Sequence, residues 1–143
     1  DDCGNRINPM VIEGQIHGGL AQGIATAMLE EVTFDDNGNV TAGDFMNYLL
    51  PTSMEIPHMD TDYTVTPSPH HPIGAKGVGE SPTVGSPPAI VNAVVDAMKH
   101  AGVKHVDMPM TPDRVWSVMN EAGLTLDPAE RFEFDAGETP ADD

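Results

Sequence analysis

The segment Gly74-Ala75-Lys76-Gly77-Val78-Gly79-Glu80 gathers three glycines, one cation and one carboxylate into seven residues. Glycines at this density let a backbone adopt positive φ and approach a ligand closely. Exposed amides in such a turn cradle an anion, and Lys76 would add charge to that cradle. Glu80, at the end of the segment, could act as a general base with a pKa set by burial and neighbours. The same residues also read as a structural turn followed by a solvated glutamate, and composition alone leaves both readings open. Two common anion loops are excluded. The terminal Lys-Ser/Thr pair of a P-loop is absent, and the spacing Gly74-x-x-Gly77-x-Gly79 reverses the dinucleotide fingerprint.

Other reactive side chains carry less. There are six histidines. His70 and His71 are adjacent and point apart in an extended loop, while His17, His58, His100 and His105 have no tight ligand spacing, so no metal ligand is assigned. Cys3 is the one cysteine, which excludes an internal disulfide framework and a four-cysteine zinc or iron–sulfur site. The nine methionines sit mostly at core-like positions and read as packing.

The elements that must position Glu80 follow from periodicity and turn chemistry. Residues 1–13 read as a loop ending in the apolar run Met10-Val11-Ile12. Gly14 then opens a helix from about Gln15 to Glu31, with Ile16, Leu20, Ile24, Ala27, Met28 and Leu29 at a period near 3.6. Gly14, Gly18, Gly19 and Gly23 load this helix with residues that allow a ligand or another helix to come close. Asp36-Asn37-Gly38-Asn39 is a tight-turn signal joining two short segments in a predicted hairpin. Thr61 to Thr66 alternates as a strand does. Pro67 to Pro88 holds six prolines and four glycines without helical period, a long loop of the kind that carries function.

After it, Ser86 reads as an N-cap with Pro87 at the first helical position, and Gly102 closes that helix. Val103 to Val106 is a strand candidate. Thr111 caps a last helix that begins at Pro112, buries Val115, Trp116 and Met119, and ends at Gly123. The expected fold class is α+β, with 1–126 as one domain and 127–143 as an acidic, disordered tail.

Charge sets the partners. The chain has 143 residues, 23 acidic and 6 basic, for a net charge of −17. Such a field disfavours nucleic acid and anionic membranes. No apolar stretch approaches the roughly 20 residues of a membrane span, and no secretory signal opens the chain. A cytoplasmic setting is the expectation. The acidity also fits a high-salt cytoplasm, where screening relieves self-repulsion. The opening Asp1-Asp2-Cys3-Gly4-Asn5, without an initiator Met, and the load of 14 Gly and 13 Pro read as part of a larger assembly.

Three stretches together resemble the molybdenum hydroxylase family, which comprises the large chains of xanthine dehydrogenase, aldehyde oxidase and aerobic carbon monoxide dehydrogenase. They are Asp2-Cys3-Gly4-Asn5-Arg6-Ile7-Asn8-Pro9, Glu13-Gly14-Gln15-Ile16-His17-Gly18-Gly19 and Gly74-Ala75-Lys76-Gly77-Val78-Gly79-Glu80. Order and gaps both match, from Asp1 to about Gly123. Thr66-Pro67-Ser68-Pro69-His70-His71-Pro72 and Glu80-Ser81-Pro82 look most like the carbon monoxide dehydrogenase branch.

The resemblance implies the C-terminal portion of a molybdopterin-binding domain. It also implies molybdopterin cytosine dinucleotide as cofactor, with FAD on a medium subunit and a 2Fe-2S protein as small subunit. Copper would be held by an upstream cysteine loop to which Cys3 does not correspond. Gln15 would hydrogen-bond the pterin or phosphate region, with Gly14 and Gly18 leaving room. Lys76, Gly77, Val78 and Gly79 would line the molybdenum side, mainly through backbone, and Asp2 to Asn5, Cys3 and Gly4 among them, the dinucleotide end. Glu80 matches the catalytic glutamate, which accepts a proton beside the metal. The activity implied is oxidation of carbon monoxide with water-derived oxygen. Hydroxylation of an aldehyde or N-heterocycle, or a non-catalytic remnant, stands as the alternative.

Overall fold

The computed structural model of the chain describes residues 1–124, so the expected tail at 127–143 lies outside the described residues. Helix α1 runs Pro9–Met28, α2 runs Ser81–Met98, a 3-10 turn follows at Lys99–Ala101, and α3 runs Pro112–Glu121. Among the described residues no helix is long and apolar enough to cross a membrane.

The expected α+β class is overturned, because the described residues form no β-strand or sheet. Two isolated antiparallel bridges occur instead, Gly4↔Ala75 and Phe34↔Val40. A strand exists only through its pairing partner, and a lone two-stranded hairpin is marginal. The predicted hairpin keeps its turn: Asp35 Oδ1 accepts from the Asn37 and Asn39 amides, and Gly38 takes φ 81°. Its arms stop at one bridge. Residues 61–66 lie against the N-terminal segment through single bonds such as Thr64 N to Asp1 O at 3.0 Å. Residues 103–106 send Val103 and Val106 into the core with no neighbouring strand.

Both long helices start earlier than periodicity suggests. Asn8 caps α1, its side chain accepting from the Val11 amide at 3.3 Å, and Pro9 fills the first turn. The end falls at Met28, short of Glu31, with the Leu29 and Glu30 amides both bonded to Ala25 O. Helix α2 begins at Ser81, and Pro87 and Pro88 lie inside it. A proline ring removes a donor and crowds the preceding turn. Here Ser86 Oγ donates back to Pro82 O at 2.8 Å.

Helix α1 makes room for this stretch. A Cβ on Gly23 would sit 1.8 Å from Ser86 Oγ and 3.0 Å from Pro87 Cδ, and one on Gly19 would sit 2.9 Å from Pro82 Cβ. Of the two alternatives for the α1 glycines, Gly19 and Gly23 therefore answer to another helix. The α1–α2 pair is closed at its far end by a core of Ala27, Met98, Val106 and Met110. Helix α3 docks there through Val115, Val118 and Met119, while Trp116, expected inside, is 53% exposed. Arg114 ties α3 to the chain after α1, with Nη2 3.0 Å from Glu31 Oε1.

Candidate functional site

The long segment between α1 and α2 returns to the N-terminus. There residues 73–76 are zipped to residues 2–5. Lys76 N donates to Cys3 O at 2.7 Å, Asn5 N to Gly74 O at 3.1 Å, and Asn5 Nδ2 to Ile73 O at 2.7 Å. Cys3 and Gly4 are buried by this seam. Gly4 holds φ 64°, and a Cβ on it would meet Gly74 O at 2.1 Å, so only glycine fits. Sequence density suggested positive φ along the loop. It occurs at Gly74, φ 70°, and not at Gly77 or Gly79.

Beyond Lys76 the seam ends. Among the described residues, Gly77, Val78 and Gly79 make no hydrogen bond, so three consecutive amides stand unpaired just before a helix N-terminus. Amides so placed favour an anionic group. Gln15, on α1, comes to the same place: its Oε1 lies 3.6 Å from where a Cβ on Gly79 would sit. A side-chain amide offers a donor and an acceptor, so Gln15 and the loop together present both senses of hydrogen bond.

Glu80 is the N-cap residue of α2 at φ −100°, ψ −22°, and its side chain does not cap the helix. The carboxylate is exposed and, among the described residues, unpaired. It sits one residue before a helix seated on α1, which gives its backbone a rigid mount.

The other expected site residues divide. Cys3, Lys76 and Val78 border a cavity of about 200 Å³ with Asn8 and Val11. Gly14 and Gly18 have open space where a Cβ would be. Gly18 borders a different cavity, about 490 Å³, with His17, Pro51 and His58. None of residues 74–80 lines that larger cavity, so it is separate from the loop that carries Glu80. No three His, Cys, Asp or Glu side chains gather as a metal site among the described residues.

Asp2, expected only at the dinucleotide end, has a second part that sequence reasoning missed: it ties the loop to the N-terminal segment. Its Oδ1 receives Lys76 Nζ at 2.8 Å, the Gly4 amide at 2.9 Å and the Thr66 amide at 3.1 Å. The Lys76 ammonium above all, with Thr66 and the Gly4 amide, holds the Asp2 carboxyl well below the usual carboxylate range. The ammonium of Lys76 is thereby paired with Asp2, and beyond it the loop offers unpaired backbone amides to a ligand.

Residues 1–57 match the model of the molybdopterin cofactor-binding domain. The chain is 61% identical over 126 residues to the carbon monoxide dehydrogenase large chain of Hydrogenophaga pseudoflava, covering 88% of this chain and 16% of that one. Among solved structures it resembles the Cu,Mo-CO dehydrogenase in its carbon monoxide reduced state, with TM-score 0.84 and 56% identity over 88% of this chain and 16% of that one. It also resembles quinoline 2-oxidoreductase from Pseudomonas putida 86, with TM-score 0.80 and 45% identity over 84% of this chain and 15% of that one. The chain thus spans about 16% of the length of the carbon monoxide dehydrogenase large chain that it matches.

Proposed function

Because this chain belongs to the molybdenum hydroxylase family, as a C-terminal part of the molybdopterin-binding domain of its large subunit, we propose that it forms one wall of the active site of a carbon monoxide-oxidising enzyme. The observation that carries the substrate class is the gradient of likeness. Identity is 56% to the solved carbon monoxide dehydrogenase and 45% to the quinoline enzyme, at nearly equal coverage.

The residues present fit a molybdopterin cofactor. The unpaired amides of Gly77, Val78 and Gly79 suit its anionic oxygens, and Gln15 beside Gly79 suits a pterin edge or phosphate. Gly14 leaves open space on the same helix as Gln15. The cytosine dinucleotide form is the one proposed. When bound, the cofactor supplies a hard metal that acidifies water and takes two electrons. Glu80 then does what an unpaired carboxylate at a rigid mount can do: it accepts a proton at a carboxylate oxygen and orients the water-derived oxygen toward carbon. Copper, FAD and a 2Fe-2S cluster belong to an upstream segment and to medium and small subunits. Phe45, Met46 and Met54, each at least 85% exposed, are apolar surface of the kind that packs on further protein.

Two measurements on the intact complex test this reading. Gln15→Ala should lower molybdenum content at least about twofold, since outer contacts to a metal group commonly cost 10- to 100-fold in affinity; unchanged molybdenum content and activity would remove Gln15 from the cofactor wall. With an artificial electron acceptor, carbon monoxide should be turned over faster than aldehydes, purines or N-heterocycles. Preference for an N-heterocycle would move the chain to the hydroxylase branch.

A further inference from the structure

Residues 77–79 have no hydrogen bonds of their own among the described residues, so the placement of Glu80 depends on anchors at either end of that stretch. On one side the anchor is Lys76, whose amide bonds Cys3 O at 2.7 Å and whose ammonium lies 2.8 Å from Asp2 Oδ1. On the other it is the start of α2, where Glu80 O accepts the Val84 amide at 3.0 Å and Ser81 Oγ donates to Asp1 Oδ2 at 3.0 Å. The residues flanking the free stretch and Glu80 are therefore clamped to two adjacent acidic side chains.

Asp2 is the more firmly held of the two. Besides Lys76 it accepts the Gly4 and Thr66 amides, and Thr64 Oγ1 reaches its Oδ2 at 3.4 Å. One carboxylate thus joins the N-terminal segment, the 64–66 segment and the glycine loop. We propose that Asp2 is a positioning residue for Glu80, acting through Lys76 to hold the loop in the register that aims the catalytic carboxylate. The inference rests on the assignment of Glu80 as the reacting base. It also explains the cation within the loop, whose charge serves Asp2.

The test is a double-mutant cycle in the intact complex. Asp2→Asn keeps an acceptor oxygen for the two amides, removes the charge, and turns the oxygen that Thr64 Oγ1 reaches into a donor. Lys76→Met removes the other partner. Each single variant should lower kcat about 10-fold, a fraction of the ~100-fold that a 1 Å misplacement can cost. Molybdenum content and KM should stay within about twofold of native. The double variant should be no worse than either single one, because both break one link. Lys76→Arg, which keeps the charge, should recover most of what Lys76→Met loses.

Asp2→Asn with native kcat would overturn the proposal, as would multiplying losses in the double variant or a loss that tracks molybdenum content. Glu80→Gln, measured beside them, separates the two levels. If it turns over normally, the assignment of the base itself fails. If it is inactive while Asp2→Asn is native, only the positioning role fails.

Discussion

Glu80→Gln in the intact complex is expected to cut kcat by at least ~100-fold, the low end for general-base contributions, while leaving molybdenum content unchanged. The substitution keeps size and hydrogen-bonding capacity and removes the proton acceptor. Cofactor content should survive because Glu80 contributes no hydrogen bond to the fold through its side chain: it does not cap α2 and pairs with nothing else among the described residues. That separation of activity from occupancy distinguishes a reacting carboxylate from a structural one. Full molybdenum occupancy with near-native turnover would refute the role.

Gly4→Ala is expected to cost most of the bound molybdenum and to lower the thermal midpoint, whereas Gly38→Ala should leave molybdenum content intact. Both glycines sit in the left-handed region, at φ 64° and 81°, so both substitutions carry a strain of about 1–2 kcal/mol. They differ in what a Cβ meets. At Gly38 it finds open space, while at Gly4 it lands 2.1 Å from the backbone oxygen of Gly74. Overpacking adds about 1–3 kcal/mol, and a carbonyl cannot step aside as a flexible side chain can. The seam that holds residues 73–76 would open, and the unpaired amides beyond it would lose their mount. A Gly4→Ala complex with native molybdenum content would show that the seam does not support the site.

The segment before α2 stands out in sequence by three glycines, a lysine and a glutamate in seven residues, although composition alone reads it equally as a structural turn. What positions it was less legible. The Asn8-Pro9 pair is a cap and a first-turn proline, and its presence places the start of α1 ahead of the apolar run that periodicity follows. Two Ser-Pro signals compete for the start of α2. The later one at Ser86 looks better because it keeps proline out of the helix interior. The earlier one at Ser81 is the observed start, and the stretch is seated on α1, where Gly19 and Gly23 leave room for Pro82, Ser86 and Pro87 and Thr83 Oγ1 donates to Gly19 O. That seating is tertiary.

The expected strands failed for a similar reason. The 61–66 segment alternates as a strand does and 103–106 is a short strand candidate, yet pairing depends on a neighbour that local pattern does not specify. Gly19 and Gly23 look the same in sequence as Gly14 and Gly18. Only the crossing of α2 separates those that admit a helix from those that leave open space. The Asp2–Lys76 link joins the segment before α1 to the end of the long irregular segment after it, with no local signal at either residue.

Metal analysis of the purified intact complex for copper beside molybdenum tests the central reading most directly. Both metals are expected in equal amounts per large subunit, in a sample whose artificial acceptor is reduced when carbon monoxide is supplied. Full molybdenum without copper, in a sample inert to carbon monoxide and active on an aldehyde or N-heterocycle, would contradict it.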